Sequence, residues 1–392
     1  MKTAIVGGGA AGFFLAVNLK EIVPAMDVTI LERSQRVLTK VEISGGGRCN
    51  CTNSFAHVRD LSQVYPRGFR LLKRLFKQFD HRAAYQWFER HGVQLVTQDD
   101  DCVFPASQDS HSIINCFLNE ARRQEIKICT GARVDSLDDL LRNYDFVAVC
   151  TGGSPRMEGL QWLADAGHEI VPPVPSLFTL SIADKGFCEL MGTVVNDVHI
   201  MIPGTKMRSE GPLLITHWGV SGPATLRLSS YAARLLNEAG YQVPLSINWT
   251  AQHDADVLGA LQDIATQHPL KQITSIAPCG LPARLWTYLT VKTLGERSKN
   301  RCQNLSQKEL NRLTNTLTND TYHTSGRAAF RDEFVTCGGV ALSEVNPLTL
   351  ESRRVPRLYF AGEVLDIDGI TGGFNFQAAW TTAYVVAKSI QG

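Results

Sequence analysis

The first thirty-two residues constrain the fold more than any other part of the chain. Lys2 to Val6 is a short apolar run suited to a buried parallel strand. Gly7-Gly8-Gly9-Ala10-Ala11-Gly12 then satisfies the spacing G-x-G-x-x-G, and Phe13 to Glu21 predicts an amphipathic helix. A second apolar strand, Val28 to Leu31, ends in Glu32, twenty positions after Gly12, with Arg33 beside it. Each part of this order has a task in binding a dinucleotide. Gly7 permits a tight turn, Gly9 lets the backbone approach a pyrophosphate, and Gly12 lets helix and strand pack closely. The helix N-terminus at Ala10 and Ala11 offers N–H donors and a partial positive charge to phosphates. Glu32 suits the two ribose hydroxyls of an adenosine and would repel a 2′-phosphate. This motif does not separate a nicotinamide from a flavin dinucleotide.

Three later segments favour the flavin. Ser44-Gly45-Gly46-Gly47-Arg48-Cys49-Asn50-Cys51-Thr52-Asn53 is a glycine run followed by polar residues. Consecutive glycines cost backbone entropy and mark close approach to something bulky, such as an isoalloxazine or a pyrophosphate. A flexible surface loop is the plainer alternative. Tyr144 to Thr151 predicts a second buried strand that runs into Thr151-Gly152-Gly153. Arg357 to Glu363 predicts another, ending in Gly362 and Glu363. Gly372-Gly373-Phe374-Asn375-Phe376-Gln377 then opens a helix to about Ile390. In two-part FAD folds the acid accepts a ribityl hydroxyl. The positive end of the following helix faces the flavin N1–C2 edge, where charge gathers on reduction. A nicotinamide dehydrogenase has no use for this second arrangement, so FAD is the expected cofactor.

On these stretches the chain resembles the HI0933-like flavoproteins, also called the BaiN/RdsA or aminoacetone-oxidase-like FAD-binding family. The carrying motifs are GGGAAG at 7–12, SGGGRCNCTN at 44–53, GPLLITHWGVSGP at 211–223, TCGGVAL at 336–342, NPLTLESR at 346–353 and YFAGEVLDIDGITGGFNFQAAW at 359–380. The resemblance implies that Ala11, Glu32, Lys40, Arg48, Asn53, Val134, Glu363, Asn375 and Phe376 fall on or near FAD-contacting positions. Arg353, where lysine is common, and Val220, where leucine is common, are mild departures.

The middle of the chain reads as an insertion. Pro172-Pro173-Val174-Pro175 is the clearest boundary signal. Phe178 to Ile182, Thr193 to Ile202 and Leu213 to Thr216 alternate like strands. Asp254 to about Thr318 is helical in pattern, with Ser306 as a capping residue for the helix bearing Glu309. The expected fold class is α/β: a Rossmann-like FAD-binding domain of two-part type at 1–185 and 336–392. A β-barrel-like domain is expected at 186–250 and 319–335, and a helical domain at 251–318. Such an insertion would fold over the flavin and close a substrate pocket. His217 and Ser221 fall in it as candidate substrate neighbours, with a turn and helix start as the plainer reading.

Charge and cysteine usage exclude several classes. With 39 Lys and Arg against 38 Asp and Glu, the formal charge of +1 offers no global field for nucleic acid or an anionic membrane. Arg67, Arg70, Lys73, Arg74 and Lys77 recur at helical spacing and read as a solvated helix face. Ten scattered cysteines without a CxxC pair argue for free thiols, against a zinc ribbon and against disulfide exchange. Cys337 reads as a buried small residue. No run approaches a membrane span, so a cytoplasmic protein is expected. No Ser/His/Asp triad or metal-ligand cluster stands out, and the flavin must carry the chemistry. No second strand-preceded GxGxxG is present, so any NAD(P)H visits the flavin transiently. The expected activity is that of an FAD-dependent oxidoreductase on a small carbonyl-containing molecule, either reducing an enone-type double bond or oxidising an aminoketone. A flavoprotein modifying RNA and a non-catalytic flavin-binding redox protein are the alternatives.

Overall fold

The computed structural model describes residues 1–154, 156–327 and 335–390. They form two compact units, Met1–Pro175 with Val335–Gly392, and Ser176–Phe334. The first unit is built on a five-stranded parallel sheet. Its order is Leu358–Phe360, Phe146–Val149, Lys2–Val6, Asp27–Glu32, Lys127–Thr130. The inner strands are largely apolar, with Ile5, Ile30 and Val147 wholly buried, and Phe360 of the edge strand is wholly buried too.

The helix Ala10–Ile22 departs from the expected amphipathic pattern: every residue from Ala11 to Leu19 is buried. A helix apolar all round belongs inside a core. Its one polar interior residue, Asn18, donates to the Phe14 carbonyl (2.7 Å) and accepts from Trp87 Nε1 (3.1 Å). The C-terminal helix Phe374–Ser389 packs on it, with the Phe14 and Trp380 rings 5.1 Å apart. Trp380 Nε1 also donates to the Cys51 carbonyl at 2.7 Å. The Pro172–Pro175 stretch lies in a strand, Ile170–Ser176, that pairs with Val335–Val340 in a two-stranded sheet among the described residues. Prolines are tolerated in such a two-stranded edge because the missing N–H groups leave no ladder unpaired.

The second unit closes Val194–Met201, Arg208–Thr216, Gly219–Ser221, Leu180–Ile182, Asp320–Arg327 and Pro244–Asn248 into a barrel. Alternation along Val194–Met201 puts Val195, Val198 and Ile200 inside, with a bulge between Val195 and Val198. The helices Asp254–Gln267, Ala283–Leu294 and Gln307–Thr318 bury Val257, Trp286 and Leu313 in the same core as the barrel residues Ile200, Leu245 and Ile247. Barrel and helices therefore make one compact unit. It begins at Ser176, before the expected boundary at 186, because Leu180–Ile182 is itself a barrel strand. Residues 328–334 of the expected return segment 319–335 lie outside the described residues.

Candidate flavin site

The site is assembled at the carboxyl ends of the parallel strands, where α/β sheets bind ligands. Gly7 makes the first turn with φ +113°, and its N–H donates to the Leu31 carbonyl at 2.8 Å. A Cβ at Gly12 would lie 2.0 Å from the Gly7 carbonyl oxygen, so only glycine lets helix and turn approach this closely. Gly9 precedes the helix with no side-chain cap, and a Cβ there would meet no atom within 4 Å. Open space and uncapped N–H donors at Ala10 and Ala11 suit a bulky anion such as a pyrophosphate.

Glu32 is fixed by the turn it serves. Its Oε2 accepts from the Gly8 N–H (2.8 Å), and its Oε1 accepts from the Ser34 N–H and Oγ (each 2.8 Å). Val134 follows the edge strand that pairs beside Glu32, where the Ala132 N–H donates to the Glu32 carbonyl at 2.9 Å. Arg33 is exposed.

A second cluster brings five distant segments together. Glu363 accepts from Lys40 Nζ (3.0 Å) and from the Thr336 N–H (2.8 Å). Gly153 lies against the Glu363 carboxylate and the Thr336 side chain, and Gly362 lies against Ala11. Thr151 and Gly152 continue the strand end beside them. Thr336 opens the TCGGVAL motif but is not among the residues expected to contact the cofactor. Its contribution is a backbone N–H, which residue type does not report.

The run 44–53 is a kinked helix end rather than a free loop. Thr39–Gly47 loses helical geometry at Ser44, Gly45 and Gly46. Arg48 stacks its guanidinium 4.2 Å from the Phe104 ring centroid and donates to Gln108. Cys49 is fully buried and burial pushes its thiol up to about 12, so it is no nucleophile. Asn53 Nδ2 donates to the Gly372 carbonyl (3.0 Å), and Thr52 Oγ1 donates to Gln377 (2.6 Å). Asn50 faces the Gly373 N–H.

At the start of the C-terminal helix, Asn375 is bonded both ways to Gly369, accepting its N–H (2.8 Å) and donating to its carbonyl (2.9 Å). Phe376 stacks on Trp380, with ring centroids 5.5 Å apart. Phe374 is buried against Phe55 and Tyr65, and Tyr65 Oη donates to the Phe374 carbonyl at 2.8 Å. The helix has no side-chain cap at Gly373. Arg67 corrects the reading of a solvated basic face: it precedes the helix Phe69–Leu75 and forms a bidentate pair with the fully buried Asp368. Burial opposes its charge, and the Asp368 carboxylate outweighs that, holding Arg67 above its ordinary value. Arg70, Lys73 and Arg74 are exposed as expected.

In the second unit, His217 is exposed in the turn between Arg208–Thr216 and Gly219–Ser221, its ring 3.6 Å from that of Trp218. Ser221 accepts from Thr179 Oγ1 at 2.9 Å. All ten cysteines are free thiols, and Cys337 is fully buried. No helix among the described residues is long and apolar enough to cross a membrane.

Comparison with known proteins agrees along the whole length. The family described as HI0933-like protein Rossmann domain matches residues 1–389. A 3-dehydro-bile acid delta(4,6)-reductase of Clostridium scindens is 27% identical, over 99% of this chain and 98% of its own. A ribosomal RNA dihydrouridine synthase of Escherichia coli is also 27% identical, over 98% and 97%. Among solved structures, a 3-ketosteroid delta1-dehydrogenase from Sterolibacterium denitrificans is 10% identical over 98% of each chain, with a TM-score of 0.44. This chain belongs to the HI0933-like Rossmann-domain family and is an FAD-dependent oxidoreductase.

Proposed function

We propose that the enzyme reduces a carbon–carbon double bond conjugated to a carbonyl in a small molecule. One observation carries this reading: two full-length relatives of equal identity have names that describe the same bond change. A delta(4,6) double bond in a 3-dehydro steroid is conjugated to the 3-oxo group. The double bond lost when uridine becomes dihydrouridine is conjugated to the C4 carbonyl.

FAD, when bound, supplies two-electron hydride chemistry. The chain's residues divide the work of holding it. Gly9, Ala10 and Ala11 would hold the pyrophosphate, and Glu32, already oriented by Gly8 and Ser34, would hold the adenosine ribose. Glu363, oriented by Lys40 and the Thr336 N–H, would hold the ribityl chain. The positive end of Phe374–Ser389 would stabilise negative charge at the pyrimidine edge of the ring system. Asn375 holds the turn at Gly369 in place at that helix end.

The test is anaerobic reduction of the purified yellow protein with NADH and NADPH, followed by candidate oxidants. A 3-oxo-4-ene or 3-oxo-4,6-diene steroid that restores the flavin band, with a saturated product by mass, supports the reading. Restoration only by a uridine-containing ribosomal RNA transcript favours the second reading, an RNA-modifying enzyme, for which the E. coli relative is the supporting observation. Reoxidation by oxygen alone overturns both reductase readings and leaves the aminoketone oxidase.

A further inference from the structure

We propose that Glu21, His91 and Glu120 bind a divalent transition-metal ion of the zinc class, on residues separate from those assigned to the flavin. They come from three helices: Glu21 from the last turn of Ala10–Ile22, His91 from the end of His81–Arg90, and Glu120 from His111–Arg123. Their ligand atoms all lie within 4.8 Å of one another.

The histidine is aimed from outside the cluster. Its Nδ1 lies 2.7 Å from the Trp87 carbonyl oxygen, and its ring stacks on the Trp87 indole with centroids 3.8 Å apart. A carbonyl only accepts, so Nδ1 carries a proton. The opposite nitrogen, Nε2, lies 2.7 Å from Glu21 Oε1. With both nitrogens facing acceptors the ring is an imidazolium that donates to Glu21 as it stands, and a metal ion would take the place of the Nε2 proton. A proton joins this pair alone, whereas a metal ion would also draw in Glu120, whose carboxylate already pairs with Arg123. An imidazole fixed through Nδ1 to a carbonyl, with Nε2 free to ligate, is the usual outer support of a metal-bound histidine.

Two further observations fit an ion. Arg123 and Gln124 both donate to Glu120, with Gln124 Nε2 at 2.9 Å, so this carboxylate is oriented by partners of its own. A cavity of about 400 Å³ borders His91 and is lined also by Ser112, Asn115, Cys116 and Asn119. Solvent would fill the remaining coordination position, as at zinc sites with three protein ligands. One imidazole and two carboxylates with an open position are a zinc-type donor set, whereas magnesium and calcium prefer oxygen alone. The ion would tie together the ends of three helices.

The FAD-loaded full chain, stripped with EDTA, is titrated with Zn²⁺ by calorimetry and followed by thermal melting. One equivalent should bind and raise Tm, and Mg²⁺ at the same concentration should not. His91→Ala and Glu120→Gln should each weaken binding at least tenfold while the flavin band is retained. Glu21→Gln, at an exposed position, decides the matter if either of the others fails to fold. Absence of a zinc equivalent in the wild type, or unchanged binding in His91→Ala or Glu21→Gln, overturns the proposal and leaves a proton-bridged ion pair.

Discussion

Gly9 and Gly12 stand three positions apart in one motif, yet their surroundings demand glycine for different reasons. At Gly12 the protein itself refuses a side chain, because the Gly7 carbonyl oxygen would lie 2.0 Å from the new Cβ. At Gly9 the protein leaves room, with φ −95° and ψ −165° accessible to any residue and no atom within 4 Å. The two alanine variants should therefore fail differently. Gly12→Ala should lose about 1–3 kcal/mol of stability, the usual range for overpacking, whether or not FAD is present. Gly9→Ala should leave apoprotein stability within about 0.5 kcal/mol and weaken FAD by about tenfold or more. Urea unfolding of both apoproteins and FAD titration by fluorescence quenching read the two effects separately. An apoprotein destabilised as much by Gly9→Ala as by Gly12→Ala would remove the assignment of Gly9 to the cofactor.

Among the elements, the helix Gln307–Thr318 shows how a local signal fixes a boundary. Ser306 and Glu309 form a reciprocal capping box, and Glu309 also pairs with Arg297. The Arg297 pair and the Ser306 N–H hold the Glu309 carboxyl down at about 2, from an ordinary 4.5. Because the folded value is depressed, its contribution is present above pH 4.5 and is lost as pH falls toward 2. Ser306→Ala should cost about 1 kcal/mol at neutral pH. Glu309→Gln should flatten the acid limb of the stability curve below pH 4.5; an acid limb identical to wild type would sink this account.

That capping box was legible because both partners sit within one turn of sequence. The same holds for Lys2–Val6 and for Phe146–Val149, which lies inside the run expected at 144–151, since both are short and largely apolar. The edge strand Lys127–Thr130 was not legible, since all four of its residues are exposed and carry no buried pattern. Nor was the Arg67–Asp368 pair, which joins positions 301 residues apart. Arg67 shares helical spacing with its exposed neighbours, and only the tertiary fold separates it from them. In the candidate site, the glycine turns and acids could be read directly. The N–H of Thr336 and the Tyr65 contact to the final helix could not, because backbone donors and long-range packing leave no residue-type signature.

At the scale of the whole molecule, the first unit is made by chain ends that meet across an excursion of 159 residues, from Ser176 to Phe334. Pro175 and Val335, which flank that excursion, are brought together in one small sheet. The Ala341 N–H donates to the Glu169 carbonyl at 3.0 Å, and Gly338 lies against Pro172. Rising numbers on one strand thus face falling numbers on the other, and Val335 falls opposite Pro175. The two strands run as a hairpin whose loop happens to be a second unit with its own barrel and core. Closing that hairpin with a short glycine-serine linker should cost little, since loop entropy grows only slowly with length and the excised loop is long. Replacing 177–334 in this way should give a soluble yellow protein with a single cooperative melt. All the residues assigned to FAD lie outside the deletion, so its affinity should stay within about tenfold of the intact enzyme, or ~1.4 kcal/mol. A colourless but folded product would show that the sheet and the two helices packed on it do not suffice to hold the dinucleotide.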